Sequence, residues 1–292
     1  MDLLAPLLSG LALGSMYGLI ALGFHITFSV CGALNFAQGT SAMLGAVLLF
    51  TLERTLGWPV LLAAPATIAL CGLYGLLVEG LAVRPFLKRR SDAWLMATVA
   101  LGLVTDNATL FLFGTEPRSL SSILTASSVS VGGASLGVYP LHLLIPVVGL
   151  AVAGALHWVS RKTLLGTAVL AVAQNRDAAS LMGIPVSAMI AAAFAVSSAL
   201  AGMAGALVAP LFTIQPDMGV VLGLKAFAVA ILGGLKNPWG IMTAGVLFGV
   251  VEAASASVLG SGYTQMLTFG LVILALALRP DGLLGRAEVR KV

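Results

Sequence analysis

Eight long apolar runs, each free of Lys and Arg, occupy most of this 292-residue chain, near 4–30, 36–52, 60–83, 93–113, 140–159, 187–209, 240–259 and 264–279. A ninth, shorter run covers roughly 224–235. A helix crossing the roughly 30 Å hydrocarbon core of a bilayer needs about 20 apolar residues. Runs of that length, repeated this often, predict an all-α integral membrane protein forming one membrane domain over residues 1–292. Only 9% of the residues are charged and 59% are hydrophobic, whereas a soluble domain carries about 25% charge to face water. Little chain remains for a separate nucleotide-binding, catalytic or sensor domain. The net charge of +4 is small and scattered, which argues against a nucleic-acid partner. The opening MDLLAPLLSG lacks the basic region of a cleaved signal peptide and reads as the start of the first span.

Charge placement sets the orientation. Eleven of the fifteen Lys and Arg residues fall into three blocks: Arg84, Lys88, Arg89 and Arg90; Arg161, Lys162 and Arg176; and Arg279, Arg286, Arg290 and Lys291. Under the positive-inside rule all three are cytoplasmic. Two runs separate the first block from the second, which is consistent. Three long runs separate the second from the third, so the short run 224–235 must cross as well. Twelve helical residues reach only about 18 Å, so that segment must be half of a broken helix or be enclosed by protein. The expectation is about nine transmembrane helices (eight to ten), with the C-terminus cytoplasmic.

Two interrupted segments resemble each other. LNFAQGTSAMLGA from Leu34 and LKNPWGIMTAGV from Leu235 both place a Gly five residues after the Leu (Gly39, Gly240), and another further on (Gly45, Gly245). Asn35 and Gln38 break one; Asn237 and Pro238 break the other. Broken apolar segments in corresponding halves point to a transporter's solute pathway, because an opened helix exposes backbone dipoles to a polar solute. The stretches Asn35–Gly39 and Gly233–Gly240 are therefore pathway candidates, and the pairing predicts two pseudo-symmetric inverted halves with broken or re-entrant segments.

Ionisable residues within the spans are functional candidates by default. Here they are His25, Glu79, Asp106 (beside Asn107) and Glu252. Glu79 stands five residues before Arg84, a spacing that suits an ion pair. His25 also fits a neutral, hydrogen-bonded role. Gly10, Gly14 and Gly18 line one helix face, for tight packing within the chain or for an interface that moves. Cys31 and Cys71 read as small buried hydrophobes. The chain has no phosphate-cradling G-x-x-x-x-G-K-[ST], no H-E-x-x-H, no G-x-S-x-G and no C-x-x-C. Its three histidines are too dispersed for a metal site, so neither catalysis nor a metal is expected.

A less apolar stretch, SRKTLLGTAVLAVAQNRDAASLMGIP, follows the second basic block. Thr167 to Met182 reads as a short cytoplasmic helix with Gly183 as its breaker and Pro185 beyond. Its D-A-A-x-x-x-G (Asp177, Ala178, Ala179, Gly183) is similar to the E-A-A-x-x-x-G coupling loop of ABC importer permeases, here spanning about 160–186. Around it the chain resembles the branched-chain amino-acid permeases of the H-subunit type from end to end. The resemblance rests on GLALGSMYGLIALG, GALNFAQG, the E-x-x-x-x-R-P of Glu79 to Pro85, LKAFAVAILGG from Leu224, and the tail RPDGLLGRAEVRKV.

That resemblance implies a multi-pass permease of a bacterial inner membrane. It would pair with a second homologous permease, two cytoplasmic ATPases and an extracytoplasmic solute-binding protein delivering leucine, isoleucine or valine. ATP would bind the ATPases, and no cofactor would bind this chain. Pathway candidates are Asn35, Phe36, Gln38, Gly39, Asp106, Asn107, Lys225, Phe227, Gly233, Gly234 and Glu252. Two departures stand out. Gln38 replaces the histidine of the common N-F-A-H-G, and Ala168 and Leu170 replace two arginines of the usual coupling loop. Urea or short amides, carried by related permeases, are the alternative solutes. An ion-coupled secondary transporter is the alternative from another class, and it would be expected to show more intramembrane acids.

Overall fold

The computed structural model describes residues 4–89, 91–120, 130–131, 134–135 and 139–278. The described residues form twelve helices: α1 (Leu4–Cys31), α2 (Gln38–Phe50), α3 (Val60–Val78), α4 (Arg84–Lys88), α5 (Trp94–Phe113), α6 (Pro140–Lys162), α7 (Leu164–Gln174), α8 (Arg176–Leu181), α9 (Val186–Val208), α10 (Met218–Gly233), α11 (Pro238–Leu259) and α12 (Ser261–Leu278). Wide π turns at Thr51–Thr55 and Glu79–Val83 extend α2 and join α3 to α4. One two-residue hairpin, Ser130–Val131 with Ala134–Ser135, is the sole strand pair among the described residues. Among the described residues, six helices are long and apolar enough to cross a membrane: Pro6–Cys31, Val60–Lys88, and α5, α6, α9 and α11 in full. The basic tail block and the RPDGLLGRAEVRKV motif lie outside the described residues, as do Arg90 and most of 119–135.

Helix ends follow local chemistry. Pro140 and Pro238 open α6 and α11, where a missing N–H costs no hydrogen bond. Gly114, Gly234 and Gly260 close α5, α10 and α11 at positive φ. Two boundaries differ from the sequence reading. The short run begins at Met218 rather than 224, giving α10 sixteen residues and a reach of about 24 Å. The expected cytoplasmic helix Thr167–Met182 is two helices. Asn175 between them is extended (φ −155°), and its side chain accepts from the Ala178 N–H. A side chain that competes for backbone donors in this way starts a new helix rather than continuing the old one.

α1 is the central post, packed by α6, α9, α10 and α11, with Leu19, Ile20, Ala21 and Leu22 fully enclosed. Lipid supplies no hydrophobic drive for helices to associate, so close packing over small residues must do it. A Cβ at Gly14 would lie 2.8 Å from Val246 Cα, and one at Gly10 2.8 Å from Val250 Cα. The Gly10–Gly14–Gly18 face is thus spent inside the chain against an antiparallel α11. The outward faces of α3 and α5 carry Leu61, Val104, Phe111 and Leu112, all exposed, as a lipid-facing surface requires.

Candidate functional site

The two interrupted segments become two breaks in the helical bundle. Residues 32–37 separate long α1 from short α2, while 234–237 separate short α10 from long α11. The breaks are stitched to their surroundings by side chains. Asn35 Oδ1 accepts from the Ala37 N–H at 3.1 Å, and its amide donates to Gln38 Oε1 at 3.3 Å. Gln38 is fully buried and fully paired: Nε2 donates to Ser197 O (2.9 Å) and Ile20 O (3.3 Å), and Oε1 also accepts from the Ser197 hydroxyl (2.9 Å). This one amide ties α1, α2 and α9 together. At the second break, His25 Nδ1 lies 2.7 Å from the Leu235 carbonyl.

Between α5 and α10, a groove runs over α2. Three antiparallel or parallel neighbours form it. Gly39 of α2 faces Gly223 of α10, where an added Cβ would come within 2.7 Å of the Gly223 backbone. Thr98 of α5 accepts from the Phe36 N–H at 3.4 Å, and Phe113 meets Phe50 edge-on. The groove encloses about 150 Å³. Its inner end is an aromatic cluster of Phe24, Phe36 and Phe227, with ring centroids 5.3–6.4 Å apart. Further along stand Thr40 and Asp106, with Gly102 and Gly219 leaving room between them. Leu103, Val220 and Leu224 line it too and are half exposed, so the groove opens on the side of the chain.

Asp106 is only 9% exposed. The Thr40 hydroxyl is hydrogen-bonded to its carboxylate, and Oδ1 has no partner among the described residues. Asn107, one residue on, is exposed and returns its amide to the Leu103 carbonyl at 2.8 Å. Lys225 and Glu252 pair with each other at 2.6 Å, away from the groove, and the Tyr17 hydroxyl stands 3.3 Å from each. Gly233 packs on the backbone of Gly240 and Ile241, and Gly234 makes the turn with φ +82°. Glu79 forms the expected ion pair, a bidentate one, with Arg84 at 2.8 and 3.1 Å. Cys31 and Cys71 are buried and free. No group of three metal-ligating side chains occurs among the described residues.

The structure thus gathers Phe36, Asp106 and Phe227 around one groove, and puts Gly39, Gln38, Lys225 and Glu252 in the packing behind it. Sequence reasoning missed Phe24, Thr40 and Tyr17. Each looks like ordinary span filler until a partner faces it, and only their polar or aromatic character inside an apolar run could have marked them.

Helices α7 and α8 form a separate platform at one end of the bundle. Arg176 donates from its guanidinium to the Cys31 carbonyl at the end of α1. Ala179 turns inward onto a cluster with Val30, Val172 and Ile190. Asp177, Ala178 and Gly183 face outward, alongside Leu164, Leu181 and Met182, which are 83–90% exposed. Gly183 has φ +82°, the left-handed stop expected of it.

Residues 7–276 match the family described as branched-chain amino acid transport system / permease component. The high-affinity branched-chain amino acid transport system permease protein BraD of Pseudomonas aeruginosa is 33% identical, over 99% of this chain and 98% of its own length. The corresponding protein LivH of Escherichia coli K12 is 31% identical, over 99% and 97%. A probable branched-chain amino acid transport permease protein LivH of Methanocaldococcus jannaschii is 28% identical, over 91% and 88%. No solved structure matches.

Proposed function

From the premise that this chain belongs to the family of branched-chain amino acid transport permeases, we propose that it is the membrane subunit through which an ATP-driven importer passes leucine, isoleucine or valine. The observation that carries the reading is the groove over α2. It is a small, mainly apolar recess with one buried carboxylate, held between two helices and open sideways. A pathway open along its length needs a second wall, and a second homologous permease subunit supplies one. Phe36, Asp106 and Phe227 are in its lining, and Gly39 packs α2 against α10 beside it. Asn35, Gln38, Lys225, Gly233, Gly234 and Glu252 fix the broken helices that shape it, and Asn107 borders α5 on the outer side.

The topology proposed has nine crossings. The block Arg84–Arg89 follows α3; of the second block, Arg161 and Lys162 end α6 and Arg176 opens α8. With both cytoplasmic, α1 enters from outside, α2 and α10 each count as a crossing, and α12 brings the C-terminus inside. The two breaks, long–short and short–long in chain order, support two inverted halves. The α7–α8 platform then faces the cytoplasm. Leucine and methionine side chains exposed there, beyond the reach of lipid, suit docking into a cleft of a soluble ATPase, with one ATPase per permease and an extracytoplasmic binding protein opposite.

Proteoliposomes holding the assembled transporter test the reading. Uptake of labelled leucine that needs internal ATP and the binding protein is expected, with competition from isoleucine and valine. Uptake of urea or a short amide in place of leucine would overturn the substrate. Uptake driven by an ion gradient without ATPases would overturn the mechanism.

A further inference from the structure

The geometry points to a primary-ammonium subsite in the groove, with Asp106 and Thr40 receiving the cation and Phe24, Phe36 and Phe227 receiving an apolar body. The inference rests on the permease reading and names the group by which the solute is held. Three observations support it. Asp106 is nine-tenths buried, yet one carboxylate oxygen has no partner among the described residues, while the Thr40 hydroxyl occupies the other side. A buried carboxyl oxygen left unmet is costly, and in a membrane such groups persist where they meet a partner or a solute. The same recess carries three aromatic rings within 6.4 Å of one another, which bury aliphatic groups and attract cations over their faces.

The donor set selects among cations. Calcium takes six to eight oxygen ligands and magnesium an octahedron. Here one carboxylate and one hydroxyl face the space, so a bare metal ion would be starved of ligands. An ammonium has three donors on a compact head, matched by Oδ1, the Thr40 oxygen and a ring face. The groove of about 150 Å³ has the room of about five liquid waters, enough to admit a small aliphatic amine. Gly102 and Gly219 line the same recess, where a Cβ on either would press on Thr40 at 3.2–3.3 Å.

The test uses the full-length chain in lipid nanodiscs and three probes: leucine, isoamylammonium (the leucine skeleton without its carboxylate) and isocaproate (the skeleton without its ammonium). Leucine and isoamylammonium are expected to bind and isocaproate to bind at least tenfold more weakly. Asp106→Asn is expected to lower the affinity for both ammonium probes tenfold or more. Phe227→Ala is expected to weaken isoamylammonium and leucine alike. Should Asp106→Asn fail to fold, maleimide labelling of Val99→Cys carries the test, with protection by isoamylammonium and none by isocaproate. Equal binding of isocaproate, unchanged affinity in Asp106→Asn, or no binding to the native chain would each overturn the subsite. Leucine uptake by the assembled transporter is measured alongside. Native uptake that Asp106→Asn leaves intact sinks the subsite alone, and absent uptake with ammonium binding retained sinks the permease substrate alone.

Discussion

Replacing Lys225 by Met should destabilise the chain far more than replacing Lys225 and Glu252 together. The two charges stand 2.6 Å apart with side chains 9% and 12% exposed, so water screens them little. At an effective dielectric of about 20, that separation corresponds to about 6 kcal/mol of attraction, most of which offsets the cost of removing both ions from water. Lys225→Met leaves the Glu252 carboxylate with only the Tyr17 hydroxyl, at 3.3 Å, and with Oε2 already unmet. Breaking one side of such a pair costs about 3–5 kcal/mol, whereas replacing both partners with neutral groups is close to neutral. Lys225→Met should therefore lower the apparent melting temperature of the detergent-purified protein by roughly 6–15 °C. Lys225→Met/Glu252→Gln should recover most of the loss, since the glutamine carbonyl can still accept from Tyr17. Because neither side chain lines the groove, the double variant should also import leucine at the native rate. Additive losses in the double variant, or no loss in the single one, would refute the reasoning.

Leu181→Asp, at a 90% exposed position, should leave the melting temperature unchanged and abolish co-purification of the ATPases; Gly183→Val, which strains a φ of +82° by about 1–2 kcal/mol, should weaken it. Gln38→Leu removes four buried hydrogen bonds and should cost about 2–4 kcal/mol, read as a lower melting temperature together with faster proteolysis at the first break. Single cysteines at 116 or within 119–135 should react with an impermeant maleimide from outside, and ones at 87–89 only after the cytoplasmic face is opened.

Six spans were legible because a bilayer imposes one strict demand, a sustained apolar run, and six of the long runs meet it as helices among the described residues. Where that demand relaxes, legibility fell. Met218 to Leu222 sits next to Asp217 and Pro216 and reads as loop, yet it continues α10, because α2 covers it and lipid need not. Asn175 hides its break inside an otherwise helical pattern, since a cap shows itself only by the donor it meets. Asp106 and Glu252 were singled out by the cost of a charge in hydrocarbon, but that cost is the same for both. Only the fold reveals that Glu252 has its counter-ion 27 residues away while Asp106 keeps a free oxygen. The glycine face of α1 was visible as a pattern, and which helix it would meet was not.

The bond from Arg176 to the Cys31 carbonyl gives the molecule a short mechanical linkage. Cys31 is the last residue of the central helix, and five residues later the chain reaches Phe36 at the floor of the groove. A tug on α8 is therefore delivered to a peptide segment that no helical ladder stiffens, directly beneath the recess. Under the coupling proposed above, this contact is a short route from α8 to an aromatic ring of the groove.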